Sequence, residues 1–139
     1  MLTYKNILRR GSIKTNSKVY NFSINTPVVG EKADVIEAVR LIKESGLNSI
    51  PVVEKGILKG IITRTDIIKN LEQIISNAKN IKKNFEIMNS DVVTVEENED
   101  IEVAADRIRQ LDEYEIPVTK MEAYRHLKGQ GNNQLRSYG

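Results

Sequence analysis

The order of apolar and polar positions divides the chain into short strands and amphipathic helices, and the division repeats. Between residues 32 and 52 (KADVIEAVRLIKESGLNSIPV) apolar side chains fall at Val35, Ala38, Val39 and Ile42, a helical spacing, before the pattern changes to Ile50, Pro51 and Val52. Residues 98–118 (NEDIEVAADRIRQLDEYEIPV) carry the same pattern at Ile101, Ala104, Ala105 and Ile108, and then at Ile116, Pro117 and Val118, without a gap and 66 positions later. Gly46 stands where a helix C-cap belongs in the first copy, with Asp112 or Glu113 in its place in the second.

A short strand candidate precedes each helix, at residues 26–29 and 91–95. After Ile50 to Val53, the Glu54-Lys55-Gly56 turn leads into residues 57–62, which predicts a hairpin. A further helix from Thr65 to about Ser76 carries Ile67, Ile68, Leu71, Ile74 and Ile75. The repeated unit is therefore strand, helix, strand, strand, helix, an α/β (α+β) fold whose two copies are expected to pack face to face. Residues 2–9 (LTYKNILR) also parallel residues 62–69 (ITRTDIIK), 60 positions on, so the chain opens on what reads as the tail of an earlier copy. The expected organisation is a leading fragment over 1–19, a complete unit over 20–76, the front of a second over 77–118 and a divergent, disordered or out-of-frame tail over 119–139.

The helix ending before Leu47-Asn48-Ser49-Ile50-Pro51-Val52-Val53, the glycine turn after it, and Gly60-Ile61-Ile62-Thr63-Arg64-Thr65-Asp66 resemble the landmarks of the cystathionine β-synthase-type (CBS) motif family, fully over 20–76 and in part over 88–118. The resemblance implies the CBS-domain fold: small mixed three-stranded sheets with helices, in a pseudo-twofold tandem pair (a Bateman module) with two clefts. Such clefts commonly hold AMP, ADP, ATP or S-adenosylmethionine, and the module regulates an attached or partnered enzyme, channel or transcription factor.

The residues themselves supply partners for such a ligand. Thr63 lies where a strand gives way to a helix, so its hydroxyl and the amides of the first turn can receive a phosphate, to which Arg64 adds charge. Asp66, three residues on, offers a carboxylate to both hydroxyls of a ribose. Ile50, Pro51 and Val52 are candidates for an apolar slot around a purine. Thr-x-x-Asp ahead of an apolar helical run is also a capping box, worth about 1 kcal/mol, and one residue can cap when empty and contact ligand when filled. Thr3 and Asn6 hold the same offsets without the carboxylate charge; Asn48 and Thr26 occupy places from which members of the family contact ligand, and both are also ordinary turn formers.

Composition narrows the function further. A chain of 139 residues buries one core or two small ones, and a net charge of +2, with both signs interspersed, announces no nucleic-acid surface. Without cysteine there is no disulfide or thiolate zinc site, His126 stands alone, and Glu96, Glu97, Glu99 and Asp100 read as the acidic start of a helix, so no metal is expected. No apolar run is long enough to span a bilayer, and a cytoplasmic setting is expected. No nucleophile, base and orienting group share a recognisable spacing, which argues against catalysis and against a required cofactor. The expected function is a regulatory module for AMP, ATP or S-adenosylmethionine; the alternative is a ligand-free dimerisation scaffold.

After Val118 the second copy should continue with a strand and another Gly-x-x-Thr-x-x-Asp, but residues 119–139 carry no such motif. Back-translating residues 121–128 and reading one base later gives Trp, then Lys or Arg, then options that include Leu, Ile, Gly and Ile, which the repeat predicts there. The tail is accordingly expected to be an out-of-frame ending. Loss of the last strand and helix would leave an exposed edge at residues 115–118, favouring a homodimer, unless residues 2–10 supply the missing elements.

Overall fold

In the computed structural model, the structure describes residues 1–9, 17–76, 82–111, 115–120 and 134–135. The elements run β1 (Leu2–Thr3), α1 (Tyr4–Arg9), a 3-10 turn (Val19–Asn21), α2 (Val35–Ser45), β2 (Ser49–Glu54), β3 (Ile57–Thr63), α3 (Arg64–Lys69), α4 (Leu71–Ser76), α5 (Asn84–Ile87), β4 (Val95–Glu96), α6 (Ile101–Leu111), β5 (Glu115–Ile116), β6 (Val118–Lys120) and β7 (Gln134–Leu135). They form two units: a middle unit built on Thr26–Val92, and a terminal unit that joins Met1–Asn25 to Val93–Ser137.

In the middle unit β2 and β3 pair antiparallel from Ser49↔Thr63 to Glu54↔Ile57. The expected hairpin closes through Lys55 (φ 50) and Gly56 (φ 78), two positive-φ residues that suit the twist of a two-residue turn. Val29 bridges Val52 in parallel, which makes the small mixed sheet. The strand expected at residues 26–29 reduces to this one bridge, since Pro27 has no N–H to donate. Helix α2 ends at Gly46 (φ 72), the expected left-handed cap. Val35, Ala38 and Ile42 from α2 pack with Val29, Ile50, Val52, Ile62 and Ile87 in one buried cluster.

The helix expected over 65–76 is instead two, α3 and α4, separated at Asn70. The Asn70 side-chain amide donates to the carbonyl of Asp66 at 2.7 Å, a local bond that competes with continued winding. Gly60 is required by a close approach: a Cβ there would lie 2.7 Å from Met88 Sδ and 2.9 Å from the carbonyl oxygen of Asn89. Gly60→Ala is expected to cost about 1–3 kcal/mol, read as a lower urea midpoint, because the Asn89 backbone is itself bonded to Ile61 and cannot withdraw freely.

The terminal unit rebuilds the same pattern from separated pieces. β4 and β6 pair in parallel at Val95↔Val118, which the 66-residue repeat maps onto Val29↔Val52. Leu2 and Thr3 pair antiparallel with Ile116 and Glu115, as Ile62 and Thr63 pair with Ile50 and Ser49. Gln134 and Leu135 pair with Lys120 and Thr119, as Ile57 and Leu58 pair with Glu54 and Val53. The place of β3 is thus divided between the two ends of the chain. The exposed edge expected at residues 115–118 is paired along β5 by β1, and β6 is paired by β7, because backbone donors and acceptors are satisfied whichever segment offers them. The core of this unit holds Leu2, Ile7, Val19, Phe22, Ile101, Ala104, Ile108, Ile116 and Val118. The out-of-frame reading of residues 121–128 lies outside the described residues.

The segment ahead of each copy packs on the other copy's helix. Lys18 bonds Asp100 at 2.6 Å in the terminal unit, and Lys83 pairs with Asp34, the N-cap of α2, in the middle unit. The hydrogen bond and the charge of Asp100 hold the Lys18 ammonium above the ordinary lysine value.

Candidate ligand site

Antiparallel pairing places Ser49 opposite Thr63, so the end of the α2–β2 loop and the start of α3 lie side by side. Thr63 is the extended N-cap of α3 (φ −105, ψ 164), and its hydroxyl oxygen accepts from the Asp66 backbone N–H at 3.1 Å. Asp66 answers through one oxygen: Oδ2 accepts from the Thr63 backbone N–H at 2.8 Å and from the Thr63 hydroxyl at 2.9 Å. The capping box anticipated from the sequence is therefore closed. Thr63 and Asp66 are half-buried.

The remaining sequence candidates divide by face and by unit. Ile50 (1% exposed) and Val52 (0%) turn their side chains into the hydrophobic cluster beneath the sheet, because alternation along β2 puts both on the core side. Their side chains pack the core; the intervening Pro51 is also buried, and its carbonyl accepts from the Val29 N–H at 3.1 Å. Asn48 is exposed at the mouth of the loop. Thr26 is buried, with its hydroxyl donating to the carbonyl of Pro27 at 3.1 Å. Arg64, expected near a phosphate, donates from Nε and Nη2 to the carbonyl of Leu47. Leu47 was not a sequence candidate, since a carbonyl acceptor has no residue signature.

Thr3 and Asn6 reproduce half of this arrangement in the terminal unit. The Asn6 backbone N–H donates to Thr3 Oγ1 at 3.1 Å, matching the Thr63 cap, but the Asn6 side-chain amide donates to the carbonyl of Phe22 and does not close a box on Thr3. Among the described residues no cluster of His, Cys, Asp or Glu has a metal-holding arrangement, and no helix is long and apolar enough to cross a membrane.

A family model described as CBS domain matches residues 19–73 and 85–129. The chain belongs to the CBS domain family. Its second match runs past Val118 to residue 129. The chain is similar to the L-aspartate semialdehyde sulfurtransferase of Methanocaldococcus jannaschii, with 34% identity over 96 residues, which are 68% of this chain and 17% of that protein. It therefore spans about a sixth of the length of that curated relative. Among solved structures it resembles the CBS domain pair of protein MJ0100 in complex with 5′-methylthioadenosine and S-adenosyl-L-methionine, at 29% identity and a TM-score of 0.62, covering 78% of this chain and 83% of that one. It shares its fold with CBSX2 in complex with AMP, at 21% identity and a TM-score of 0.61 over 85% of this chain and 87% of that one. The CBS architecture of small mixed sheets and helices is common to this chain and these two solved structures.

Proposed function

We propose that this CBS chain is a regulatory module that binds an adenine nucleotide or adenosyl ligand, such as AMP, ATP or S-adenosylmethionine, and signals its occupancy to a partner. The observation that carries the reading is the Thr63–Asp66 box beside Asn48, in a chain 29% identical to a CBS pair that holds two adenosyl compounds. In this reading the ribose takes over the carboxylate of Asp66, a phosphate or other polar 5′ group takes the Thr63 hydroxyl and the first amides of α3, and the purine lies along the backbone of residues 26–29 with Pro51. Asn48 and Thr26 border the site, and Thr3 and Asn6 form a weaker counterpart that lacks a carboxylate. Ligand binding acts by favouring one arrangement of the loop at Asn48, and a partner that senses that arrangement reads the state. The sulfurtransferase activity belongs to a relative of which this chain spans 17%, and the reading here is regulatory and requires no cofactor.

The scaffold reading has one observation in its favour. Ile68 (68% exposed) on α3, and Leu71 (44%) and Ile75 (70%) on α4, are exposed large apolar side chains, a composition suited to a homodimer contact. A thermal-shift series with AMP, ADP, ATP, S-adenosylmethionine and 5′-methylthioadenosine separates the two. A ligand at 100 times its dissociation constant is expected to add about 2.7 kcal/mol to stability. No shift with any member of the series would leave the scaffold as the function.

A further inference from the structure

Arg64 holds two consecutive carbonyls of the loop that joins α2 to β2. Its backbone N–H donates to the carbonyl of Asn48 at 2.9 Å, and its Nε and Nη2 both donate to the carbonyl of Leu47, at 3.3 and 3.2 Å. The loop leaves α2 through Gly46, whose left-handed conformation (φ 72) sets its direction, and it ends at Ser49, paired with Thr63. Residues 46–48 are therefore tied to the first residue of α3, immediately beside the Thr63 cap. A phosphate seated on the same edge of the guanidinium would have to break both side-chain bonds and leave the Leu47 carbonyl without its donors.

We propose that Arg64 is a positioning residue and not a phosphate ligand: it latches the loop so that Asn48 and the Thr63–Asp66 box keep a fixed spacing. The inference rests on the ligand site of the preceding section, whose regulation it describes. The latch acts through geometry, so its contribution to affinity is the same for a charged and an uncharged ligand. The paired Nε and Nη2 donors come from one rigid plane, a geometry that the single ammonium of lysine does not reproduce. Arg64 is exposed, water competes for its donors, and the effect is correspondingly modest. At the equivalent offset in the leading fragment stands Tyr4, which carries no such fork.

The test compares AMP with adenosine by calorimetry in the wild-type chain, Arg64→Ala and Arg64→Lys. Both variants are expected to lose affinity for both ligands by the same factor, about tenfold, equivalent to about 1.4 kcal/mol. A loss confined to AMP and restored by Arg64→Lys would overturn the latch and make Arg64 a phosphate ligand. Unchanged affinities would overturn it as well. Hydrogen exchange of the unliganded protein supplies a readout that needs no ligand: in Arg64→Ala the backbone amide at position 64, which donates to the carbonyl of Asn48, should exchange about tenfold faster than in the wild type once corrected for the intrinsic rate of the new residue, and an unchanged rate would overturn the latch. If the wild-type chain binds neither probe, the ligand reading fails, while the exchange rates still decide whether the loop is latched.

Discussion

Leu2→Ala is expected to lower the unfolding free energy by about 2–5 kcal/mol, the range for truncating a leucine in a well-packed core. Leu2 is 0% exposed and packs in the terminal unit with Ile7, Phe22, Ile108, Ile116 and Val118, although it belongs to a strand of only two residues. Two ladder pairs cannot by themselves repay the entropy of ordering the segment. The burial of Leu2 and Ile7 must hold β1 and α1 in place, helped by the Asn6 side-chain bond to Phe22. Loss of the leucine should therefore release the segment as well as leave a cavity. Leu8→Ala, at a position 61% exposed on the adjoining α1, is the control and should stay within about 0.5 kcal/mol of wild type. Urea unfolding supplies the two values, and hydrogen exchange locates the loss: amides of α6 should speed up in Leu2→Ala while those of β2 and β3 do not. If Leu2→Ala proves no more costly than Leu8→Ala, the leading fragment is not a structural part of the terminal unit.

That division was only partly legible in the sequence. The helices α2 and α6, the β2–β3 hairpin and the Gly46 cap follow from local periodicity and turn chemistry, which depend on neighbours along the chain. The match of residues 2–9 to 62–69 likewise signalled a strand end and a helix, and both form. What the pattern did not carry was where long-range partners come from. Backbone pairing is indifferent to side-chain identity, so nothing in Gln134 and Leu135 marks them as the substitute for Ile57 and Leu58. The exchange of Lys18 and Lys83 between copies is hidden for the same reason, since each lysine lies far in sequence from its aspartate. At the candidate site the types of group were readable while their directions were not. Thr63 and Asp66 stand as their spacing requires. Ile50 and Val52 turned to the core, because the pleat sends alternate residues to one face and the apolar cluster lies on theirs. Arg64 bonds the carbonyl of Leu47, a backbone acceptor that no residue type announces.

Asp66→Ala should remove most of the preference for a ribose diol, and the size of that preference is large. Each hydroxyl donating to a carboxylate contributes about 1.5–3 kcal/mol, so two of them amount to a hundredfold or more in affinity, at about 1.4 kcal/mol per factor of ten. The same substitution opens the capping box by removing the acceptor of the Thr63 amide and hydroxyl, which costs stability in its own right, about 1 kcal/mol. A fall in AMP affinity alone would confound the two effects. The cycle that separates them uses AMP and its 2′,3′-dideoxy analogue with wild type and Asp66→Ala. Wild type is expected to bind AMP about a hundredfold more tightly than the analogue, and Asp66→Ala to bind both equally weakly. A cap lost without any ribose contact predicts something different: both ligands weaken together and their ratio is unchanged. That second outcome would remove Asp66 from the ligand site and leave it as a helix cap, with the adenosyl ligand held, if at all, by groups that do not read the sugar.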